Sequence, residues 1–105
     1  MHMRKDRLQQ LTELLKDSPE DPFLLYAIAL EHQANHNFEV AVERFEHLLT
    51  IHPDYLPVYY QLGGLYVHTG ELAKAEETYS RGILLAQEQK DQRTLSELRS
   101  ALDMM

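Results

Sequence analysis

A chain of 105 residues with 44% hydrophobic side chains can bury one modest core, and its formal charge of −7 gives that core an acidic surface. The absence of cysteine excludes a disulfide framework and any thiolate metal site. The longest apolar run, the eight residues Phe23 to Leu30, falls well short of the roughly 18 that a membrane helix needs. Met1-His2-Met3 lacks the charged and apolar regions of a signal peptide. The expectation from composition is therefore one domain over residues 1–105, cytoplasmic, with no membrane partner.

In chain order, Leu8, Leu11 and Leu15 fall on one face of an amphipathic helix from about Arg4 to Lys16. Ser18-Pro19-Glu20-Asp21-Pro22 is a turn, with Asp21 suited to accept the first free amide hydrogens and Pro22 to take the first helical position. A helix is expected from there to about Asn35 and another from about Phe38 to His52, which Pro53 terminates. Between them His36 or Asn37 must adopt an unfavourable turn conformation, because no glycine is available. Pro57 then sits in the first turn of a helix that ends near Thr69, and Gly70 turns the chain into a longer helix, Glu71 to Gln89. Leu62, Leu65 and Tyr66 before the turn, and Leu72, Ala75, Tyr79 and Ile83 after it, recur at helical spacing as the expected packed faces. Asp91 is placed to cap a final helix to about Asp103, with Leu95, Leu98 and Leu102 in its apolar slots.

The two hairpins are copies of one another. A shift of 34 residues superposes Ile28 on Leu62, Ala41 on Ala75, Phe45 on Tyr79 and Leu49 on Ile83. Ala41 and Ala75 would lie where two helices cross too closely for a larger side chain, with Phe45 and Tyr79 filling space one turn later. This period, with Leu62-Gly63, Tyr66, Gly70, Ala75 and Tyr79 in the second copy and Ala41, Phe45 and Pro53 in the first, resembles the tetratricopeptide repeat family. The first copy departs from the pattern at Ala29, His32 and His36.

The resemblance implies an all-α fold of antiparallel helical hairpins, stacked as a short right-handed solenoid of about five helices. Its parts would be an N-terminal capping helix over 4–17, repeats over 22–55 and 56–89, and a C-terminal capping helix over 91–103. Leucines of the first cap would cover the open apolar side of the first hairpin, as terminal units of stacked arrays must.

No catalytic or metal chemistry is visible in the residues. His32 and His36 are four apart and could in principle face one metal ion, but only two ligands present themselves, and neither a Glu-x-x-His nor a His-Glu-x-x-His pattern occurs. His32 occupies the slot of Tyr66 in the second copy and reads as a packed side chain. Glu39, Glu43 and Glu46 lie opposite Val42, Phe45 and Leu49 and read as a solvated helix face. No phosphate-binding glycine loop or nucleophile elbow occurs. The chain is thus expected to be no enzyme, with no cofactor and no metal.

Charge placement bears on partners. Residues 17–54 hold eight acidic and one basic side chain, which would repel a phosphate backbone, so nucleic acid is not an expected partner. In proteins similar to this one, the leading helix of each repeat lines a groove that receives a peptide or a partner helix. That resemblance implies Phe23, Tyr26, Leu30 and Gln33 in the first copy, Tyr60, Gly64 and Val67 with Pro57 in the second, and Arg93 at one wall, as partner-binding residues. Family members that clamp a terminal carboxylate use cationic or amide side chains where this chain has Tyr26, Leu30, Tyr60 and Gly64, so an apolar, aromatic contact is expected instead. The alternative is self-association into a homo-oligomer through apolar surface left open at the ends of a short stack.

Overall fold

The computed structural model describes residues 6–105, in which every regular element is a helix. There are six among the described residues, α1 (Arg7–Asp17), α2 (Pro22–Ala34), α3 (Phe38–Ile51), α4 (Pro57–His68), α5 (Leu72–Gln89) and α6 (Gln92–Asp103). Six helices stand where about five were expected: the two capping helices and the two hairpins, each of two helices. Arg4 and Lys5, at the expected start of the first cap, lie outside the described residues. Contacts group the chain into two compact units that meet in sequence between His52 and Pro53.

In the first unit, α1 begins with a reciprocal capping box. The Asp6 carboxylate accepts from the Gln9 amide at 2.8 Å, and the Gln9 side chain accepts from the Asp6 amide at 3.3 Å. Leu11 is buried with Leu24, Ala27 and Ile28 of α2, and Leu8 and Leu15 pack against that cluster, so the amphipathic face read from sequence covers the first hairpin. Burying a leucine in this way is worth about 1.5–3 kcal/mol. Asp21 caps α2 by accepting from the amides of Phe23 (2.9 Å) and Leu24 (3.3 Å), while Pro22 takes the first helical position at no hydrogen-bond cost. α2 and α3 form the hairpin, with Ala29, Ala41, Phe45 and Leu48 fully buried. His52 closes the unit, its Nε2 lying 2.6 Å from the carbonyl oxygen of Glu20.

The second unit holds the α4–α5 hairpin with α6 packed on both helices. Two glycines make this packing possible. A Cβ on Gly63 would overlap the ring of Tyr79, and one on Gly82 would stand 2.7 Å from Tyr59 Cβ and 3.0 Å from Leu98 Cδ1. Leu98 and Ala75 are fully buried, Leu95 is buried and Leu102 half-buried, as the shifted register of the last helix predicts. Asp91 caps α6 from its carboxylate, accepting from the Thr94 amide (3.0 Å) and hydroxyl (2.9 Å). Those hydrogen bonds hold the Asp91 carboxyl below the usual carboxylate range. Tyr59 donates its hydroxyl to the Pro53 carbonyl at 2.5 Å, and the Arg81 guanidinium lies 5.7 Å above its ring.

Three helices end in the same way, with a left-handed residue whose own amide bonds back to the last turn and whose successor's amide bonds one residue further back. Asn37 N–H reaches His32 O (2.8 Å), Glu71 N–H reaches Tyr66 O (2.8 Å) and Asp91 N–H reaches Ala86 O (3.0 Å). The left-handed positions are His36 (φ 62°), Gly70 (φ 82°) and Lys90 (φ 58°). His36 therefore bears the strain expected of the glycine-free first turn. Lys90 is a left-handed residue that nothing local in the sequence announces. One expected packing position is corrected: Leu72 is 53% exposed, because it is the first residue of α5 and lies beside the turn rather than along the packed face.

Candidate protein-binding surface

Helix α4 presents Pro57, Tyr60, Gly64 and Val67 to solvent, a stripe at helical spacing that carries no charge. Tyr60 is 43% exposed and Val67 38%, high values for side chains of this size in a small domain. The opposite side of the same helix supplies Val58, Leu62 and Leu65 to the core, so packing on one face fixes which side chains the other displays. Gly64 lies in the middle of the stripe, and the atom nearest to the position of its missing Cβ is Tyr79 Oη at 3.8 Å. Burial pushes the pKa of the Tyr79 hydroxyl above the ordinary tyrosine value, and the neighbouring Tyr60 hydroxyl adds to the effect.

The corresponding face of α2 is less uniform. Phe23 is 61% exposed, whereas Tyr26, Leu30 and Gln33 are half-buried. Tyr26 stacks at a tilt on Phe45 with ring centroids 5.8 Å apart, so it is partly committed to the hairpin's own core. His32 is half-buried with Nδ1 shielded and unpartnered, and burial, aided by the charge of Arg44, pulls its basicity below that of a free histidine. That environment fits the packed role read from sequence. Arg93 is exposed at the start of α6 and reaches Glu97 at 3.8 Å, a surface pair of small energetic value.

Elsewhere on the first unit, Ser18, Pro19, Glu20, Asp21, His47 and Ile51 line an open concavity of about 680 Å³. Asp21 is already engaged as the cap of α2, and Ser18, Glu20 and His47 are the other polar side chains of its lining. Glu39, Glu43 and Glu46 are exposed along α3, as a solvated face requires. Among the described residues no three His, Asp or Glu side chains come together as metal ligands, and no helix is long and apolar enough to cross a membrane.

Paired helices joined by glycine-type turns 34 residues apart, with small residues at their crossings, define a repeat. A family model described as tetratricopeptide repeat matches residues 32–101. The chain belongs to the tetratricopeptide repeat family.

Solved structures agree with that assignment. A tetratricopeptide repeat domain protein from Salinibacter ruber is 43% identical in its crystal structure, covering 78% of this chain and 92% of its own, with a TM-score of 0.75. A protein from Bordetella parapertussis, 21% identical, covers 96% of this chain and 88% of its own at a TM-score of 0.84. The TPR2B domain of yeast Sti1, solved in complex with pHsp70, is 19% identical and covers 90% and 76% at a TM-score of 0.84. These last two show the fold alone, an all-α helical repeat. No curated protein matches the chain. Tetratricopeptide repeats generally serve protein–protein interaction and are generally non-catalytic.

Sequence reasoning named Phe23, Tyr26, Leu30, Gln33, Tyr60, Gly64, Val67 and Arg93 for this surface. Of these, the repeat protein displays Phe23, Tyr60, Gly64, Val67 and Arg93 to solvent and holds Tyr26, Leu30 and Gln33 half-buried. It passed over Tyr79, whose helical slot reads as pure core, because periodicity cannot report that a hydroxyl reaches under a glycine on the neighbouring helix.

Proposed function

We propose that this tetratricopeptide-repeat chain is a non-catalytic, cytoplasmic binding module that takes a peptide or partner helix against the exposed face of a leading helix, α4 above all. The observation that carries this reading is the uncharged stripe Pro57, Tyr60, Gly64 and Val67, reinforced by the exposed ring of Phe23. Aromatic side chains give large contact area at low entropic cost, and exposed apolar faces on helices are used to dock apolar segments. The complex of the fold-related Sti1 domain with pHsp70 is a precedent for such use. A clamp for a terminal carboxylate does not suit this chain, since Tyr26, Leu30, Tyr60 and Gly64 offer no cation. Its acidic surface disfavours nucleic acid.

Self-association is the second reading, favoured by Leu72, Leu84 and Met104, which are 53%, 62% and 87% exposed outside the leading helices. Two measurements decide between them. Selection of phage-displayed random peptides on the intact chain should enrich binders that the double variant Phe23→Ser, Tyr60→Ser no longer retains while its melting temperature stays near the parent's. Sedimentation across protein concentration should report the 12.3 kDa monomer throughout. A concentration-dependent dimer with no enriched peptide would replace the first reading by the second.

A further inference from the structure

Three glycines lie inside helices of the second unit, and the fold uses the missing side chain at only two of them. Gly63 makes room for the Tyr79 ring and Gly82 for Tyr59 and Leu98. At Gly64 a Cβ would meet only Tyr79 Oη, at an ordinary 3.8 Å. Glycine is a poorer helix former than any residue but proline, so its presence at Gly64 weakens α4 with no gain in packing. Beneath it, the Tyr79 ring is buried, the residue being only 4% exposed, while its hydroxyl is not among the buried unpartnered polar atoms and so stays open to water. A tyrosine with a buried ring and a wet hydroxyl offers a partner both apolar area and a polar handle. The walls beside the gap, Tyr60 and Val67, are apolar and exposed.

We infer that Gly64 and the Tyr79 hydroxyl form a recognition notch, in which one large aliphatic side chain of a bound peptide rests over Gly64 while an adjacent peptide carbonyl accepts the Tyr79 hydrogen. The inference rests on the peptide-binding reading and specifies what that peptide must present. An uncharged stripe selects an apolar side chain, since a charged one would lose its hydration without compensation. The absence of a Cβ lets the peptide backbone come close enough to α4 to reach a hydroxyl that lies below the helix surface. A hydroxyl that water satisfies in the free protein then discriminates, because a ligand that covers it without supplying an acceptor leaves it unsatisfied.

The test uses the phage-selected peptides on the full chain, with affinity by calorimetry and melting temperature measured for each variant. The peptides should share a large aliphatic residue. Gly64→Leu should weaken them by roughly tenfold or more, as obstruction of a well-packed pocket does, without lowering the melting temperature. Tyr79→Phe should weaken them several-fold, again with the melting temperature retained, because it removes no internal hydrogen bond. Peptides that bind both variants as tightly as the parent would overturn the notch and leave the binding module standing. A melting temperature lowered along with affinity in both variants would also overturn it, by showing that the fold itself needs these groups. Failure to enrich any peptide would remove the binding reading and the notch together.

Discussion

Gly82→Ala and Gly64→Ala make the same chemical change in two helices of one unit, so the gain in helix propensity, about 1 kcal/mol, is common to both. Any difference between them is therefore packing. At Gly82 the new methyl would stand 2.7 Å from Tyr59 Cβ, 3.2 Å from Tyr59 Cγ and 3.0 Å from Leu98 Cδ1. Tyr59 Cβ is bonded directly to the backbone of α4 and cannot rotate away, and its side chain is further held by the hydroxyl bond to Pro53 and by Arg81. Relief requires α5 to move from α4, which places the overpacking cost near the top of the usual range, about 3 kcal/mol. Subtracting the propensity gain leaves a net loss of about 2 kcal/mol. At roughly 4–8 °C per kcal/mol for a domain of this size, Gly82→Ala should melt about 8–16 °C below the parent. Gly64→Ala meets no close atom and should melt a few degrees above it. Thermal unfolding followed by circular dichroism measures both. Equal melting temperatures for the two variants would refute the close approach of α5 to α4 and α6 at Gly82.

Other perturbations probe the remaining packing. Ala75→Leu places added carbons at a fully buried crossing and should cost about 1–3 kcal/mol or more; a midpoint matching the parent's would show the hairpin register to be wrong. Tyr26→Ala should lose roughly 2 kcal/mol, less than a fully buried aromatic, because Tyr26 is half-buried with its ring tilted on Phe45, whereas Tyr60→Ala should leave denaturant stability nearly unchanged. For His32 the folded state holds basicity below the free value of 6.5, so as pH falls through that value the unfolded chain takes up the proton first and stability declines, until the folded side chain also protonates. His32→Gln should accordingly flatten the dependence of melting temperature on pH between neutrality and mild acid; an unchanged slope would place His32 in water.

Local chemistry explains how much of this protein is legible without coordinates. Asp21 before Pro22, Pro57, Gly70 and Asp91 each act on the backbone within a few residues, so helix ends follow from the sequence directly, as does the strain placed on His36 where the first copy lacks a glycine. The 34-residue recurrence of Ala41 and Ala75 and of Phe45 and Tyr79 carries the fold, because each copy must bury the same face. Other features depend on how far one helix extends past another. A helical period encodes direction around an axis and not position along it, which is why Leu72 shares the period of Ala75 and Tyr79 and yet stands in solvent beside the turn. Lys90 turns left-handed because the carbonyls of Ala86 and Gln87 need donors where α5 gives way to α6, a demand that its own identity does not reveal. Among Gly63, Gly64 and Gly82, adjacency and composition give no ranking. Only the position of Tyr79, Tyr59 and Leu98 across the helix pair decides that two of them are spaces the core requires and the third is a space left open.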